Sequence, residues 1–341
     1  MPGKKQLMPG AKEYVKAAAC VASVVILLLA TWFASDVLLL AFAGIILAIL
    51  LRAAANGIAQ FLHLRPGLAL GLTCLLLLVS IGLCCWYVIP RLSEQFDILK
   101  HDIPTAWHQV LAWLHQSPWA GQLADRVQGG GLSYKHFGGT ILSAFSGLAS
   151  ALGSIVVVLF LALYFAADPA LYVRGFIKLL PKGAERRGEQ VLDACEEQLR
   201  RWLLGKLSMM AFVGLATAVG LWLLNSPLIL SLALLAALLD FIPNIGPIIS
   251  GVPAALIAFT RGPSHALWVI GLYFAVQFVE SYVLQPLVQQ RAVSLPPSVT
   301  LLGQVLIGSL FGPLGLILAT PLTVLALTLI KTVYVQDILR K

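Results

Sequence analysis

The stretch Leu239-Asp240-Phe241-Ile242-Pro243-Asn244-Ile245-Gly246-Pro247 lies at the centre of the most apolar part of the chain. Residues 207–330 carry few formal charges, and these are Asp240, Arg261, Glu280 and Arg291. A segment of this length with so little charge is stable in lipid or in a very large protein core. The surroundings of this stretch therefore predict a chain that crosses a membrane several times.

Two apolar runs, residues 228–260 and 298–330, are each 33 residues long. One helix of that length measures about 50 Å, whereas the hydrocarbon core of a membrane is about 30 Å thick. Each run has proline and glycine at its middle, in residues 241–247 and 311–315. Because proline removes a backbone donor and clashes with the preceding turn, we predict two broken helices that each turn back inside the membrane.

The two runs also resemble each other. Each has a Phe-x-Pro motif, at Phe241 and Phe311, and a second proline further along, at Pro253 and Pro321. Each run follows an apolar segment long enough for one span, in residues 204–224 and 265–284. This arrangement predicts an inverted repeat of two span-plus-hairpin units, as in secondary transporters. The alternative is that apolar helices with prolines resemble one another by chance.

Composition points to the same class of protein. Hydrophobic residues make up 59% of the chain and charged residues 11%, and that charged fraction is about half the average for soluble domains. The predicted fold class is an all-α polytopic membrane protein with six full spans, two re-entrant hairpins, and amphipathic helices on both sides of the membrane. The net charge of +8 does not indicate nucleic acid, because the cations lie where the positive-inside rule places them.

Five segments are predicted along the chain. They are residues 1–90 with the first three spans, 91–145 as an extracytoplasmic amphipathic helical segment, 146–203 with the fourth span and a cytoplasmic helix, 204–331 as the transport core with both hairpins, and 332–341 as a cytoplasmic tail.

Basic residues set the predicted orientation. The leader, residues 1–16, holds four lysines against one glutamate, which favours a cytoplasmic N-terminus. Residues 168–206 hold eight cations, the last of them Lys206, and we assign this whole stretch to the cytoplasm. The C-terminal cations lie on the same side if the second hairpin returns to the face from which it entered.

The second and third spans have predicted ends. Asp36 is expected to be the N-cap of the second span, residues 37–51, and a cytoplasmic loop is expected from Arg52 onward. Pro66 is expected in the first turn of the third span, where its missing donor has no cost.

Residues 91–145 have a mixed, nearly neutral composition, which favours amphipathic helices at the outer membrane surface. His101, His108 and His115 are seven residues apart, about 10.5 Å along a helix, which is too far for them to share one ion. None of the five cysteines has the spacing of a zinc site. No metal site and no cofactor are predicted.

Two acidic residues, Asp240 and Glu280, lie at predicted membrane depth, where a bare carboxylate is costly. Such residues usually face a cavity, form an ion pair or take up a proton. We predict a midplane site between the two hairpin tips, with Glu280 as the coupling or proton-accepting carboxylate. The alternative is that both acids satisfy helix ends or pair with Arg291 or Arg261 near the interface.

Polar and backbone groups complete the predicted pathway. Unwound backbone at the hairpin tips would present free carbonyl and amide groups to a solute or ion. The predicted pathway residues besides the two acids are Pro243, Asn244, Gly246, Gln277, Ser281, Gln304, Pro313 and Gly315.

Taken together, the motifs resemble those of the autoinducer-2 exporter family of bacterial permeases. They are residues 240–247 (DFIPNIGP), 280–286 (ESYVLQP), 293–297 (VSLPP) and 311–322 (FGPLG, then ATPL). The match is weakest in residues 91–145, and Gln290-Arg291-Ala292 stands where family members often have a Gly-Lys pair. The resemblance implies an inner-membrane transporter that exports autoinducer-2 in some members and exchanges sodium or lithium for protons in others. It also implies a homo-oligomer, a pentamer, in which the hairpins move against a scaffold.

The predicted function is a secondary transporter, an exporter or permease of a small polar solute, with autoinducer-2 as one candidate. The first alternative is a Na⁺(Li⁺)/H⁺ antiporter on the same fold, and the second is a membrane scaffold that transports nothing. An enzyme is not predicted, because the chain lacks a Ser-His pairing, a GxGD pattern and an HExxH motif at membrane depth. The predicted partners are the lipid bilayer, further copies of the chain, and the solute or cation.

Overall fold

The computed structural model describes residues 34–80, 152–289 and 296–339, and isolated positions 22, 82, 83, 86, 109, 112 and 113. The predictions for the leader, the first span, most of residues 91–145 and Arg291 lie outside these residues. Within the described ranges the chain is helical and forms no strand. By length and composition, four described helices are able to cross a membrane, or five if one bent pair counts as a span. The protein is therefore a multi-pass membrane protein.

The helices are numbered here in chain order. They are α1 (Ser35–Leu62), α2 (Pro66–Ser80), α3 (Leu152–Ala167), α4 (Pro169–Ile177), α5 (Glu185–Leu223), α6 (Ile229–Leu239), α7 (Ile245–Phe259), α8 (Pro263–Val279), α9 (Gln285–Gln289) and α10 (Pro297–Leu329). One π-helical turn, Glu280–Leu284, joins α8 to α9, and a second π-helical segment, Ile330–Leu339, follows α10.

Helix α1 differs from the prediction at both ends. Its N-cap is Ala34 and Asp36 lies in the first turn, so the prediction that Asp36 is the N-cap was wrong. The helix does not stop before Arg52 but continues to Leu62 and ends at His63, which adopts a left-handed conformation. The Arg52 Nε donates to the Ala166 carbonyl oxygen at 2.9 Å. Helix α2 begins at Pro66, as predicted.

Helices α3 and α4 form the bent pair, with an angle of 82° between Ile155–Ala167 and Pro169–Ile177. Asp168 stands at the bend, and its carboxylate accepts from the Leu171 amide at 3.2 Å. Asp168 is therefore the N-cap of α4, and a proline in the next position suits the first turn.

Helix α5 is one continuous helix of 39 residues, about 58 Å long. Its charged N-terminal half includes Glu197, which pairs with Arg200 and Arg201 at 2.6 and 2.5 Å. The hydrogen bond from Arg201 holds the pKa of the Glu197 carboxyl below its usual range. The predicted boundary between residues 203 and 204 falls inside this helix, so the cytoplasmic helix and the fifth span are one element.

The chain reverses direction between α6 and α7. Residues 240–244 connect the two helices, and Asn244 has a positive φ of 66°. A Cβ on Gly246 would lie well inside van der Waals contact of the Leu239 carbonyl oxygen. The two helices then pack side by side, with Leu232 and Ile257 in one buried cluster. We call residues 229–259 the first hairpin.

A second reversal occurs inside α10, at Gly312, whose φ of 66° and ψ of −151° interrupt the helix. A Cβ built on Gly303 would lie 2.5 Å from Thr323 Oγ1. In a straight helix residues 20 apart are about 30 Å apart, so the two halves must lie antiparallel. Close packing continues at Gly315, whose added Cβ would lie 2.6 Å from the Ile307 carbonyl oxygen. We call residues 297–329 the second hairpin.

One buried cluster brings the two hairpin tips together with α1 and α5. Its buried members include Leu39, Leu203 and Leu318, and Phe241 and Phe311 pack against it. These two phenylalanines belong to the two Phe-x-Pro motifs. The bends of both hairpins therefore lie beside the same stretch of α5.

Candidate functional site

Three charged side chains meet inside the protein next to the first hairpin tip. Lys206 Nζ lies 2.9 Å from Asp240 Oδ2 and 3.5 Å from Glu280 Oε1. Lys206 is 3% exposed, Asp240 1% and Glu280 7%. We call these three residues the buried charge cluster.

Each member comes from a different element, and local structure explains each position. Lys206 lies on the buried face of α5, in register with Leu199, Leu203 and Val213. Asp240 is the C-cap of α6 and therefore stands where the first hairpin begins to turn. Glu280 opens the π-helical turn after α8, and single π turns within α-helices are frequent at functional sites.

Burial makes this arrangement energetically demanding. Removing a charge from water costs several kcal/mol, and a close opposite charge with good hydrogen bonds offsets that cost. Here one ammonium faces two carboxylates. Asp240 Oδ1 and Glu280 Oε2 are buried and have no hydrogen-bond partner among the described residues. The cluster is thus incompletely satisfied, which is uncommon in a purely structural ion pair.

The structure shows a different pairing from the alternative considered for the two acids. Both acids face Lys206 rather than an arginine. Arg261 instead donates to the Asn225 carbonyl oxygen, and Arg291 lies outside the described residues. Lys206 was counted among the cations of the cytoplasmic stretch and also lies at the start of the predicted fifth span, and its side chain is buried against both acids.

Gln304 joins the two hairpins. Its Nε2 donates to the Pro243 carbonyl oxygen at 3.1 Å, and the residue is 1% exposed. Pro243 lies in the turn of the first hairpin, where its carbonyl oxygen also accepts from the Ile245 amide at 2.8 Å, and Gln304 lies in the first half of the second hairpin. One predicted pathway residue therefore binds the backbone of another.

A cleft of about 410 Å³ opens between the two tips. Volumes of this order accommodate small ligands. The cleft is lined mainly by apolar groups and glycines, with Gln304 and Ser309 as polar residues and Pro313 at the break of the second hairpin. Ile245 lines it from the first hairpin. The lining includes the predicted pathway residues Gln304 and Pro313 and does not include Asp240 or Glu280.

The remaining predicted pathway residues lie in three different environments. Gln277 Nε2 donates to Ser281 Oγ at 3.1 Å, so these two side chains bind each other across the π turn. Asn244 is exposed at the first hairpin tip. Gly246 and Gly315 are buried and allow the close backbone approach within each hairpin. Among the described residues no group of three His, Cys, Asp or Glu side chains is placed to hold a metal ion.

Sequence reasoning missed Lys206, although a signal for it exists. Cys195, Leu199, Leu203 and Lys206 follow one another at spacings of four, four and three, which is one face of a helix. Lys206 also has Leu203, Leu204 and Leu207 around it in sequence. A lysine at a core position of an apolar helical face indicates a buried partner of opposite charge.

Replacing Gln304 by leucine is expected to destabilise the protein by about 1 kcal/mol, because the hydrogen bond from its amide to the Pro243 carbonyl oxygen is lost and the net contribution of one such bond is of that order. The measurement is the unfolding midpoint in detergent. The control is Ser309→Ala, because the exposed Ser309 hydroxyl binds a carbonyl of its own helix. Equal midpoints for both variants would show that the bond between the hairpins contributes nothing.

Comparison with known proteins gives consistent results. A family model described as AI-2E family transporter matches residues 21–335. "Putative transport protein YrrI" of Bacillus subtilis (strain 168) is 28% identical over 295 residues, which cover 83% of each chain. "AI-2 transport protein TqsA" of Escherichia coli (strain K12) is 26% identical over 179 residues, 52% of each chain. "Putative transport protein MT0215" of Mycobacterium tuberculosis is 41% identical over 103 residues, 30% of this chain and 28% of that protein.

Proposed function

The chain belongs to the AI-2E transporter family, and from this membership we propose that it is a secondary transporter of a small polar solute across a bacterial inner membrane. The family is named for transport and not for an enzymatic activity. The sequence has no Gly-rich lysine motif for ATP, so an ion gradient is the proposed source of energy.

The buried charge cluster is the observation that carries this proposal. It links α5 to the tip of the first hairpin through Lys206 and Asp240, and to the π turn of α8 through Glu280. A protein that only anchors other segments has no need of unsatisfied carboxylates buried beside two broken helices. This argument favours transport over the scaffold alternative.

The transport path proposed here runs through the cleft between the hairpin tips. In the full topology, the two hairpins enter from opposite faces as an inverted repeat, alongside six full spans, and both termini lie in the cytoplasm. The two breaks at residues 240–244 and Gly312, and their common packing against α5, support this arrangement. A homo-oligomer, a pentamer by resemblance, would hold α5 still while the hairpins move.

The solute proposed first is autoinducer-2, because the relative TqsA carries that molecule in its name. The second candidate function is Na⁺(Li⁺)/H⁺ exchange. One observation favours it, namely that Asp240 and Glu280 each keep a buried oxygen without a hydrogen-bond partner among the described residues. Oxygen atoms of this kind bind protons and hard cations.

Flux assays with the purified full chain in proteoliposomes test the proposal. Autoinducer-2, sodium and lithium are supplied in turn, with and without a pH gradient, and uptake and internal pH are followed. Uptake of any of them above the level of empty liposomes supports transport. Transport of none of them, with the protein folded and inserted, would contradict the proposal and favour the scaffold.

Replacing Glu280 by glutamine is expected to abolish the part of the flux that depends on the pH gradient, because an amide keeps the shape of the carboxyl group and takes up no proton. The same liposome assay measures it. Glu197→Gln is the matched control, since Glu197 is a partly exposed carboxylate on the charged half of α5. Normal proton-coupled flux in Glu280→Gln would remove Glu280 from the mechanism.

A further inference from the structure

We propose that the exchangeable proton of the buried charge cluster resides on Glu280, because Lys206 pairs with Asp240. This single proton controls how firmly Lys206 holds Asp240 at the first hairpin tip. The inference deepens the proposed function, since it specifies how one site would couple proton uptake to hairpin movement. The chemistry at Glu280 is reversible loss of one proton from its carboxyl group, with no other bond broken.

Charge balance gives the number of protons. One ammonium neutralises one carboxylate, and the cluster holds two carboxylates. With both ionised, the protein would bury one uncompensated negative charge, and such groups usually take up a proton instead. One proton on the cluster therefore makes it neutral, with an ion pair and a carboxylic acid.

Geometry decides which carboxylate carries the proton. Lys206 Nζ is hydrogen-bonded to Asp240 Oδ2 at 2.9 Å, whereas Glu280 Oε1 lies 3.5 Å away. The nearer carboxylate gains more from the ammonium, because the attraction falls with distance and a hydrogen bond adds to it. Burial by itself works in the opposite direction, because desolvation favours the neutral acid, but the two acids differ little, at 1% and 7% exposed, and the direct hydrogen bond from the ammonium outweighs that difference. Asp240 thus stays ionised, and Glu280 holds the proton.

No other titratable group in the described residues competes at this position. The described parts of the first hairpin and of α10 contribute Asp240 and no other acid, lysine or histidine. On α8, His265 lies fifteen residues before Glu280, about 22 Å along the helix, and Tyr273 lies in a cluster with Val213, Ala236 and Val276. On α1, Asp36 is exposed near one end and Arg52 binds the Ala166 carbonyl oxygen. On α5, Arg200 and Arg201 precede Lys206 by six and five residues, and both pair with Glu197. The cluster is therefore a three-group system.

A consequence for the hairpin follows. When Glu280 loses its proton, two carboxylates share one ammonium, and the bond from Lys206 to Asp240 weakens. Asp240 belongs to the first hairpin and Lys206 to the long helix α5. Loss of the proton therefore loosens the tip from α5, and uptake of the proton fixes it again.

Infrared spectroscopy of the full chain in liposomes tests this without any transported solute. The C=O stretching band of a protonated carboxylic acid is separate from the bands of carboxylates. At neutral pH the native chain is expected to show one such buried carboxyl, and Glu280→Gln is expected to lose it. Asp240→Asn is expected to lose it too, because Lys206 then neutralises Glu280. Lys206→Met is expected to increase the band, since Asp240 also becomes protonated.

The outcomes separate this inference from the proposed function. A band that persists in Glu280→Gln, or that persists in Asp240→Asn, would overturn the assignment of the proton to Glu280 by Lys206, whatever the flux assays show. Absence of the band in the native chain would overturn it as well. Glu197→Gln, on the charged half of α5, is the control and is expected to leave the band unchanged, and Lys206→Arg is expected to restore the native spectrum. Both isosteric variants lose the band whichever of the two acids carries the proton, so the assignment is read from the native chain with ¹³C-labelled glutamate side-chain carboxyls. The band is expected to shift to lower frequency, and an unshifted band would overturn the assignment to Glu280 even if Lys206→Met does not fold.

Discussion

Replacing Lys206 by methionine is expected to lower the stability of the folded protein by about 3–5 kcal/mol, the usual cost of removing one partner from a buried ion pair. Methionine keeps most of the length and the apolar stem of lysine, so the packing around this position of α5 changes little. What is lost is the ammonium 2.9 Å from Asp240 and 3.5 Å from Glu280. Asp240 then has no counter-charge and becomes neutral only by taking up a proton, which costs free energy at neutral pH.

Thermal unfolding in detergent, followed by tryptophan fluorescence, measures this loss as a lower Tm. Lys178→Met is the matched control, because Lys178 is exposed at the C-cap of α4. The stability of this variant is expected to stay within about 0.5 kcal/mol of the native value, so its Tm changes little.

A combined variant separates the charge from the packing. Adding Asp240→Asn and Glu280→Gln to Lys206→Met removes all formal charge from the cluster, and much of the lost stability is expected to return. If the triple variant is as unstable as Lys206→Met alone, the loss arises from packing and not from unpaired charge. An unchanged Tm in Lys206→Met would show that the ion pairs contribute nothing.

Replacing Gly246 by alanine is expected to destabilise the protein by about 3 kcal/mol, at the upper end of the usual cost of adding atoms to a packed core. The added Cβ would overlap the Leu239 carbonyl oxygen and crowd the Asp240 amide nitrogen. These are backbone atoms of the first hairpin, so they have no rotamer by which to move aside. The tip must open, and Asp240 would move relative to Lys206.

Gly271→Ala is the control, because Gly271 is exposed on α8 and an added Cβ meets no atom within 4 Å. Alanine favours the helix there by up to about 1 kcal/mol. The Tm is therefore expected to fall for Gly246→Ala and to stay level or rise for Gly271→Ala. Similar Tm values for both variants would mean that the tip has room that the structure does not show.

Several features were predictable because they depend on local chemistry. The breaks at residues 240–244 and Gly312 follow from proline and glycine in runs too long for one span. The start of α2 at Pro66 follows from proline's fit to the first turn of a helix. The burial and pairing of Asp240 and Glu280 follow from the cost of a bare carboxylate in an apolar segment.

Other predictions were wrong because the same local sequence signal is compatible with more than one structure. Asp36 suits an N-cap by residue type, yet Ala34 takes that position and the helix begins at Ser35. Arg52 was placed in a loop because cations mark cytoplasmic loops, but it stays helical and binds the Ala166 carbonyl oxygen of α3. For Arg52, the contact between α1 and α3 decided the outcome.

The amino-acid sequence by itself determined that this chain is a membrane protein and where its two long apolar runs break. It also determined which two acids would cost free energy at membrane depth. Hydropathy and the effect of proline on the backbone depend on a few neighbouring residues, so their consequences can be predicted from the sequence. Only the tertiary structure decided that Lys206, 34 residues before Asp240 and 74 before Glu280, is the cation between them. A charge in a basic stretch is ordinarily solvated, and only the packing of α5 against both the first hairpin and the π turn removes this one from water.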